Sequence, residues 1–293
     1  MKILSNIIWG IIVATVIGAA VVSPVRADSF VNGGFEDANF SGWTKGGGTW
    51  RQTPQQAGGT ISYNYSGDPG KSAIITASGA TTDSNTGGHL GMVYAGSRAV
   101  RVNNSDSNYH FSTLTQTVAD WQQNDMYFTW AAVLQEPSNA HPEAAAPNFS
   151  IQFKDETTGT VIYQKAFDVY NGDSAGLDGG WRDGVTSGGN TWKYCQWQVA
   201  HIDTTYLKGH TLTLSLSAYD CAWGGHGGYA YLDCFQDSPP PDSPEFGDPW
   251  TPTILNLEPN YPTAVPEPSI AFMFGLGCVI LLGLKWRMSR AAA

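Results

Sequence analysis

From Thr211 to Ala218 the residues alternate without a break: Leu212, Leu214, Leu216 and Ala218 on one side, Thr211, Thr213, Ser215 and Ser217 on the other. An extended backbone sends successive side chains to opposite faces, so this is a strand with one buried and one solvated face. Asn148 to Lys154 repeats the pattern, with Phe149, Ile151 and Phe153 inward against Ser150, Gln152 and Lys154. Met126 to Leu134 is apolar on both faces and reads as a central strand. Further strands are expected over Ser72–Thr76, Arg98–Asn103, Phe111–Val118, Thr160–Asp168, Thr191–Ala200 and Gly228–Phe235. Turn clusters at Asn103–Asn108, Thr157–Gly159, Asn171–Gly180 and Ser187–Asn190 separate them. No window carries the 3.6-residue period of a packed helix. The body of the chain is all-β.

Composition agrees. Of 293 residues only 14% are charged, while Gly (34) and Trp (11) are plentiful, as in a loop-rich exported β protein. The formal charge is -10. Lys2, Arg26, Lys285, Arg287 and Arg290 all lie in the two end segments, so the body is more acidic still. Nucleic acid and anionic membrane are thereby excluded as partners, since both need a basic face.

The ends differ from the body. Residues 1–27 read as a secretory signal helix: Lys2, an apolar run from Ile7 to Val22, then the small-residue site Val25-Arg26-Ala27. Residues 28–237 form the folded body. A Pro-rich linker follows over 238–264, whose composition suits an extended spacer rather than a core. Residues 265–293 hold Val265-Pro266-Glu267-Pro268-Ser269, an apolar run from Ile270 to Leu284 that reads as a single membrane helix, and a basic end. Pro-Glu-Pro, short membrane segment and positive tail together closely resemble the PEP-CTERM sorting signal of Gram-negative bacteria. That resemblance implies processing by an exosortase in the inner membrane and delivery to the cell surface, the medium or a biofilm matrix.

The body carries a second resemblance. It opens on Val31-Asn32-Gly33-Gly34-Phe35-Glu36-Asp37 and closes on Tyr229-Ala230-Tyr231-Leu232-Asp233. Between them come Gly96 to Val102, then Trp192 to Val199, His201-Ile202-Asp203, a Lys208-Gly209 turn and the Leu strand. In this order the pieces resemble β-sandwich jelly rolls of the carbohydrate-binding-module and galactose-binding type. The resemblance implies that the two ends lie side by side. It also implies a structural calcium ion held by the Glu36 and Asp233 carboxylates with the carbonyls of Gly34 and Asp233.

Outside the tail the cysteines are Cys195, Cys221 and Cys234, an odd number for an oxidising compartment. Cys221–Cys234 is the favoured disulfide, stapling the Gly-rich loop around His226 to the closing strand. A tight hairpin around Gly225 would set Cys221 opposite Tyr229 instead, which keeps Cys195–Cys221 open. Gly172-Asp173-Ser174-Ala175-Gly176 matches the nucleophile elbow of hydrolases, with Asp203 or Asp220 and His226 available as partners. The Gly-rich stretch after it cannot form the helix that an elbow requires, so no catalytic residue is expected. His141 lies between Glu136 and Glu143 in one loop and His226 in another. If both loops gather at one end, Glu136, His141 and His226 would bind a metal or a polar ligand. Trp50, Trp121, Trp181, Trp223, Tyr63 and Tyr65 are candidates for stacking on sugar rings. The expectation is a non-enzymatic, exported glycan-binding sandwich that engages extracellular polysaccharide. A purely structural matrix protein and a hydrolase using Ser174 are the alternatives.

Overall fold

The computed structural model describes residues 29–77, 81–138, 141–170, 176–240, 253–259 and 261. The signal helix, Ser174 and the sorting signal at 265–269 lie outside these residues. Among the described residues fourteen strands run in chain order: β1 (Thr44–Thr53), β2 (Thr60–Asn64), β3 (Ala73–Thr76), β4 (Arg98–Val102), β5 (His110–Val118), β6 (Asp125–Glu136) and β7 (Asn148–Asp155); then β8 (Thr160–Asp168), β9 (Arg182–Ser187), β10 (Asn190–Tyr194), β11 (Gln198–Asp203), β12 (Leu212–Tyr219), β13 (Gly228–Gln236) and β14 (Ile254–Asn256). Among the described residues the only helices are three 3-10 turns, and no described helix is long and apolar enough to cross a membrane.

The strands form two sheets. The first has the order β2-β1-β5-β12-β7-β8, antiparallel throughout. The second runs β14-β11-β6-β13-β4-β3, with β10 bridging β6 and β9 beside it. The core fills the space between them. Leu212, Leu214, Leu216, Phe149, Ile151 and Phe153 from the first sheet meet Phe128, Trp130, Ala132, Leu134 and Leu232 from the second. This is the inward face that the sequence alternation marks.

β6 is apolar on both faces because both are covered. Its outer residues Tyr127, Ala131 and Val133 pack with Leu90, Val93, Tyr94 and Trp197 in a second cluster. Asp83 fastens that covering segment, since its Oδ2 accepts the hydroxyl protons of Tyr229 and Tyr231, each at 2.7 Å. The outer face of the first sheet is open and polar. Thr113, Thr115 and Thr117 of β5 pair by hydroxyl contacts with Ser217, Ser215 and Thr213 of β12.

Several features depart from the sequence reading. β1 falls where no strand is expected, because Gly46-Gly47-Gly48 suppresses strand propensity. The glycines are there because backbone comes close: a Cβ on Gly47 would sit 2.2 Å from the Phe111 carbonyl oxygen, and one on Gly48 1.9 Å from that of Asn64. The Thr191–Ala200 strand is broken into β10 and β11, which pair with different stretches of β6 while the Trp197 indole turns to the Gly91 carbonyl. β2 and β9 also fall in segments where the sequence reading expects no strand. Finally, the linker over 238–264 is more than a spacer. β14 pairs in parallel with β11, Leu257 is buried, Thr253 N–H donates to Asp178 and the Tyr261 hydroxyl donates to the Asp203 carbonyl. Its mixed apolar residues Ile254, Leu255 and Leu257 dock it.

The expected Cys221–Cys234 disulfide is also absent: Cys195, Cys221 and Cys234 are free and buried. Cys221 sits beside His226, ahead of β13, whereas Cys234 lies near the far end of that strand. Six residues of strand separate Gly228 from Cys234, roughly 20 Å at strand rise, against a Cα limit of about 7 Å for a bridge.

Candidate functional site

Three places gather chemistry-bearing side chains. At the first, the chain ends meet as the opening and closing motifs imply. The Phe235 N–H donates to the Gly33 carbonyl at 3.1 Å. Phe30, Phe35 and Trp43 from the opening segment pack their rings around Phe235. Gly34 lies between the two acids, its Cβ position 3.7 Å from Glu36 Cγ and 3.8 Å from Asp233 Oδ1. Glu36 Oε1 accepts the Ser97 and Arg98 N–H groups at 2.9 and 3.0 Å, and its Oε2 takes the Ser97 hydroxyl. Asp233 is fully buried. Its Oδ2 accepts from Tyr94 N–H and Ala95 N–H at 3.1 and 3.2 Å, and its Oδ1 from Cys234 N–H. Burial pushes the Asp233 carboxyl well above the usual carboxylate range, and the Glu36 charge adds to the rise. Burial also raises Glu36, but its bonds to Ser97 and Arg98 outweigh that and leave it lowered. Two carboxylates side by side, one of them sealed from water, suit a hard dication, which binds carboxylate and carbonyl oxygens and removes their repulsion.

The second place is a loop cluster. Cys221 follows β12, His226 precedes β13, and His141 lies ahead of β7. Cys221 Sγ is 3.3 Å from His226 Nδ1 and accepts the Gly225 N–H at 3.2 Å. The His141 ring stands 4.8 Å from that of His226 and 4.1 Å from Trp223. Gly224, at φ +80°, rests on the Tyr109 ring with no room for a side chain. Burial, and then the neighbouring His141, push His226 down to about 4, while burial raises the Cys221 thiol. The loops of His141 and His226 do gather, as the sequence reading required. Glu136 does not join them: Lys193 holds its carboxylate at 3.3 Å. Cys221 takes the third position.

Neither Asp203 nor Asp220 stands behind the ring of His226. Its Nδ1 faces the thiol, Asp203 binds the Thr205 N–H, and Asp220 binds Asn103, Asn108 and His110. Burial raises Asp220 to about 7.

The third place is the open face of the first sheet. Trp50, Tyr63 and Tyr65 form a row, with successive ring centroids 5.9 Å apart and planes within 20° and 22°. Trp50 is buried and backs the row; Tyr63 and Tyr65 are 47% and 75% exposed. Phe111 and Tyr219, paired across β5 and β12, stack beneath at 5.1 Å. Two adjoining hollows of about 420 and 380 Å³ share Tyr63, Ser150, Gln164 and Tyr219. Asn148, Asp168 and Glu143 line one; Thr113, Gln152, Ser215 and Ser217 line the other. Burial raises the Tyr63 and Tyr219 phenols, so they stay neutral.

Of the expected stacking residues, Tyr63 and Tyr65 are the exposed ones on this face. Trp121 is fully buried and donates to Gln123 and Thr204. Trp181 packs against the main core. Trp223 donates to Gln52 at 2.7 Å, covers His141 and packs against the cluster that holds Trp50 and Phe111. Sequence reasoning missed Phe111 and Tyr219 as part of the site. Each ends a strand whose outward residues are otherwise Thr and Ser, which was the available signal.

No protein-family model matches the chain, and no curated protein matches it in sequence. Among solved structures it is similar to the carbohydrate-binding module TmCBM61, whose structure is in complex with β-1,4-galactotriose. The two are 15% identical over 71% of this chain and 96% of that one, with a TM-score of 0.35. It is also similar to CBM28, a module described as specific for non-crystalline cellulose, at 15% identity, 73% and 97% coverage and a TM-score of 0.33. An exo-β-agarase matches at 10% identity and a TM-score of 0.34, the match covering 74% of this chain and 25% of the agarase. Similarity at this level carries no inference about ligand.

Proposed function

We propose that this chain is an exported, non-catalytic protein that binds polysaccharide on the open face of its six-stranded sheet. One observation carries the reading: the aligned, exposed Tyr63 and Tyr65 beside a floor of hydroxyl and amide groups. A pyranose ring presents C–H groups on its faces and hydroxyls on its rim. Parallel aromatic planes match the former, and Ser150, Gln152, Gln164, Ser215 and Ser217 match the latter. The face offers Glu143 and Asp168 at one end, which disfavours acidic glycans there.

Affinity electrophoresis of the mature protein against a panel of neutral and acidic polysaccharides tests this. At least one neutral polymer is expected to retard the protein, and Tyr65→Ala should weaken that binding about tenfold, roughly 1.4 kcal/mol. If no polymer binds, or Tyr65→Ala and Tyr63→Ala both bind like the parent, the face is structural.

Export and sorting belong to the same proposal. The leader at 1–27 and the Val265–Ser269 signal with its apolar run support secretion, exosortase processing and release at the surface of a Gram-negative cell. Intact mass of protein recovered outside the cell is expected to lack residues 1–27 and the segment after about Pro268. A recovered species that retains Ile270 to Leu284 would overturn the sorting proposal. A calcium ion on Glu36, Asp233 and the Gly34 carbonyl is proposed as the tie between the chain ends.

A further inference from the structure

We infer that His141, Cys221 and His226 form a binding site for a borderline-soft transition-metal ion, with zinc(II) as the fitting occupant. Their ligand atoms lie within 4.8 Å of one another. Zinc bonds of about 2.0–2.3 Å at tetrahedral angles put ligand atoms about 3.4–3.6 Å apart. The Cys221 Sγ to His226 Nδ1 separation of 3.3 Å is close to that spacing. A bound metal would draw the remaining ligand atoms in from their present separations of up to 4.8 Å. A sulfur and two imidazoles disfavour calcium and magnesium, which take oxygen donors, so this site and the acidic junction select different ions.

The loop is built to hold a metal thiolate. The Gly225 N–H points at Sγ, Cys221 N–H donates to the His226 carbonyl at 2.8 Å, and Gly224 N–H donates to the Cys221 carbonyl at 2.9 Å. Backbone N–H groups directed at a sulfur stabilise its negative charge when the metal displaces the thiol proton to solvent. The ligands come from two separate stretches. Ala222 N–H already donates to the Ala145 carbonyl, lacing the His141 segment to the Cys221 loop at 2.9 Å. A metal would therefore crosslink the Gly-rich 221–228 loop to the segment before β7. The staple that the sequence suggests as a disulfide is supplied instead by coordination. The site also abuts the aromatic face: Cys221 lies two residues beyond Tyr219, His141 two before Glu143, and the Trp50 indole donates to the Asp220 carbonyl at 2.8 Å.

The test uses the full mature protein, stripped with chelator and kept reduced. About one equivalent of zinc should bind by competition with a chromophoric chelator, and cobalt(II) should give the thiolate-to-metal charge-transfer band of a sulfur ligand. Cys221→Ser should weaken zinc binding at least about a hundredfold and His141→Ala at least about tenfold. Cys234→Ser should bind zinc like the parent. Should Cys221→Ser fail to fold, alkylation of the parent read by peptide mass serves instead, with zinc expected to protect Cys221. Absence of stoichiometric zinc binding, a cobalt complex without the charge-transfer band, unchanged affinity in Cys221→Ser, or equal alkylation of Cys221 with and without zinc would each overturn the inference. None of these readouts depends on glycan binding.

Discussion

With chelator present, the melting temperature should fall as pH rises from about 5 to about 8, and excess calcium should restore it. Asp233→Asn should abolish the calcium response and reduce the pH slope, leaving the part that Asp220, raised to about 7 by burial, contributes with the same sign. The sign follows from the direction of the shift. Asp233 sits well above its unfolded value of 3.8 in the folded protein. The stability it contributes as a neutral acid is complete below that unfolded value and is lost as pH rises through the raised folded one. Glu36 runs the other way. Lowered from 4.5, it contributes stability above its unfolded value that is lost on acidification, so the Asp233 slope is read above pH 5. The proposed calcium ion would reverse that slope, because it would bind the ionised pair. At a hundredfold excess over Kd it adds about 2.7 kcal/mol, about 5–10 °C for a domain of this size. The side-chain carbonyl introduced by Asp233→Asn can still accept the Tyr94 and Ala95 N–H bonds but its NH2 faces the Cys234 N–H, so each response is read against that variant's own baseline. Equal melting temperatures in calcium and chelator would show that hydrogen bonds alone tie the junction.

The residues that carry the fold were legible where one face is wet and the other dry. β7 and β12 alternate strictly because each lies mid-sheet with the core on one side and the open polar face on the other. β6 was legible as a central strand, though the reason for its outer apolar face, the 81–97 segment clamped by Asp83, is a tertiary fact. β1 and β2 were not legible. The β1 glycines answer to neighbouring carbonyls, and no local preference records such an approach. For the same reason the aromatic row was only half visible. Tyr63 and Tyr65 could be named as stackers, but only the placement of β2 at the sheet edge exposes them. Trp181 has the same chemistry and packs against the main core instead.

The metal cluster shows a different limit. The sequence brings His141 and His226 together through their loops, and Glu136 is the natural third ligand by proximity along the chain. Lys193 on β10 pairs with it instead, because β10 adds to β6 beside Gln135 and Glu136. The parity of cysteines in an oxidising space assigns Cys221 to a disulfide. That rule counts thiols without asking what else stands near each one.

Gly33→Ala should be among the most damaging single-methyl substitutions, with a large fall in melting temperature. A Cβ there would stand 2.0 Å from the Phe235 carbonyl oxygen, and that neighbour is backbone, which cannot swing aside. Relieving the clash would break the Phe235 N–H to Gly33 carbonyl bond, part the ring cluster of Phe30, Phe35, Trp43 and Phe235, and draw Glu36 away from Asp233. Overpacking of this kind costs about 1–3 kcal/mol; a lost buried hydrogen bond and the loosened aromatic packing add several more. A total above about 4 kcal/mol lowers the melting temperature by roughly 8–16 °C. Gly58→Ala is the control. Its φ of +79° strains any side chain, but nothing lies within 4 Å, so the cost should stay near about 1 kcal/mol. Thermal melts of the two variants, each with and without calcium, check the contrast. Gly33→Ala should also lose its calcium response while Gly58→Ala keeps it, because only the first moves the opening segment that carries Glu36. A Gly33→Ala protein that melts like the parent would mean that the opening segment contributes nothing to holding the sandwich closed.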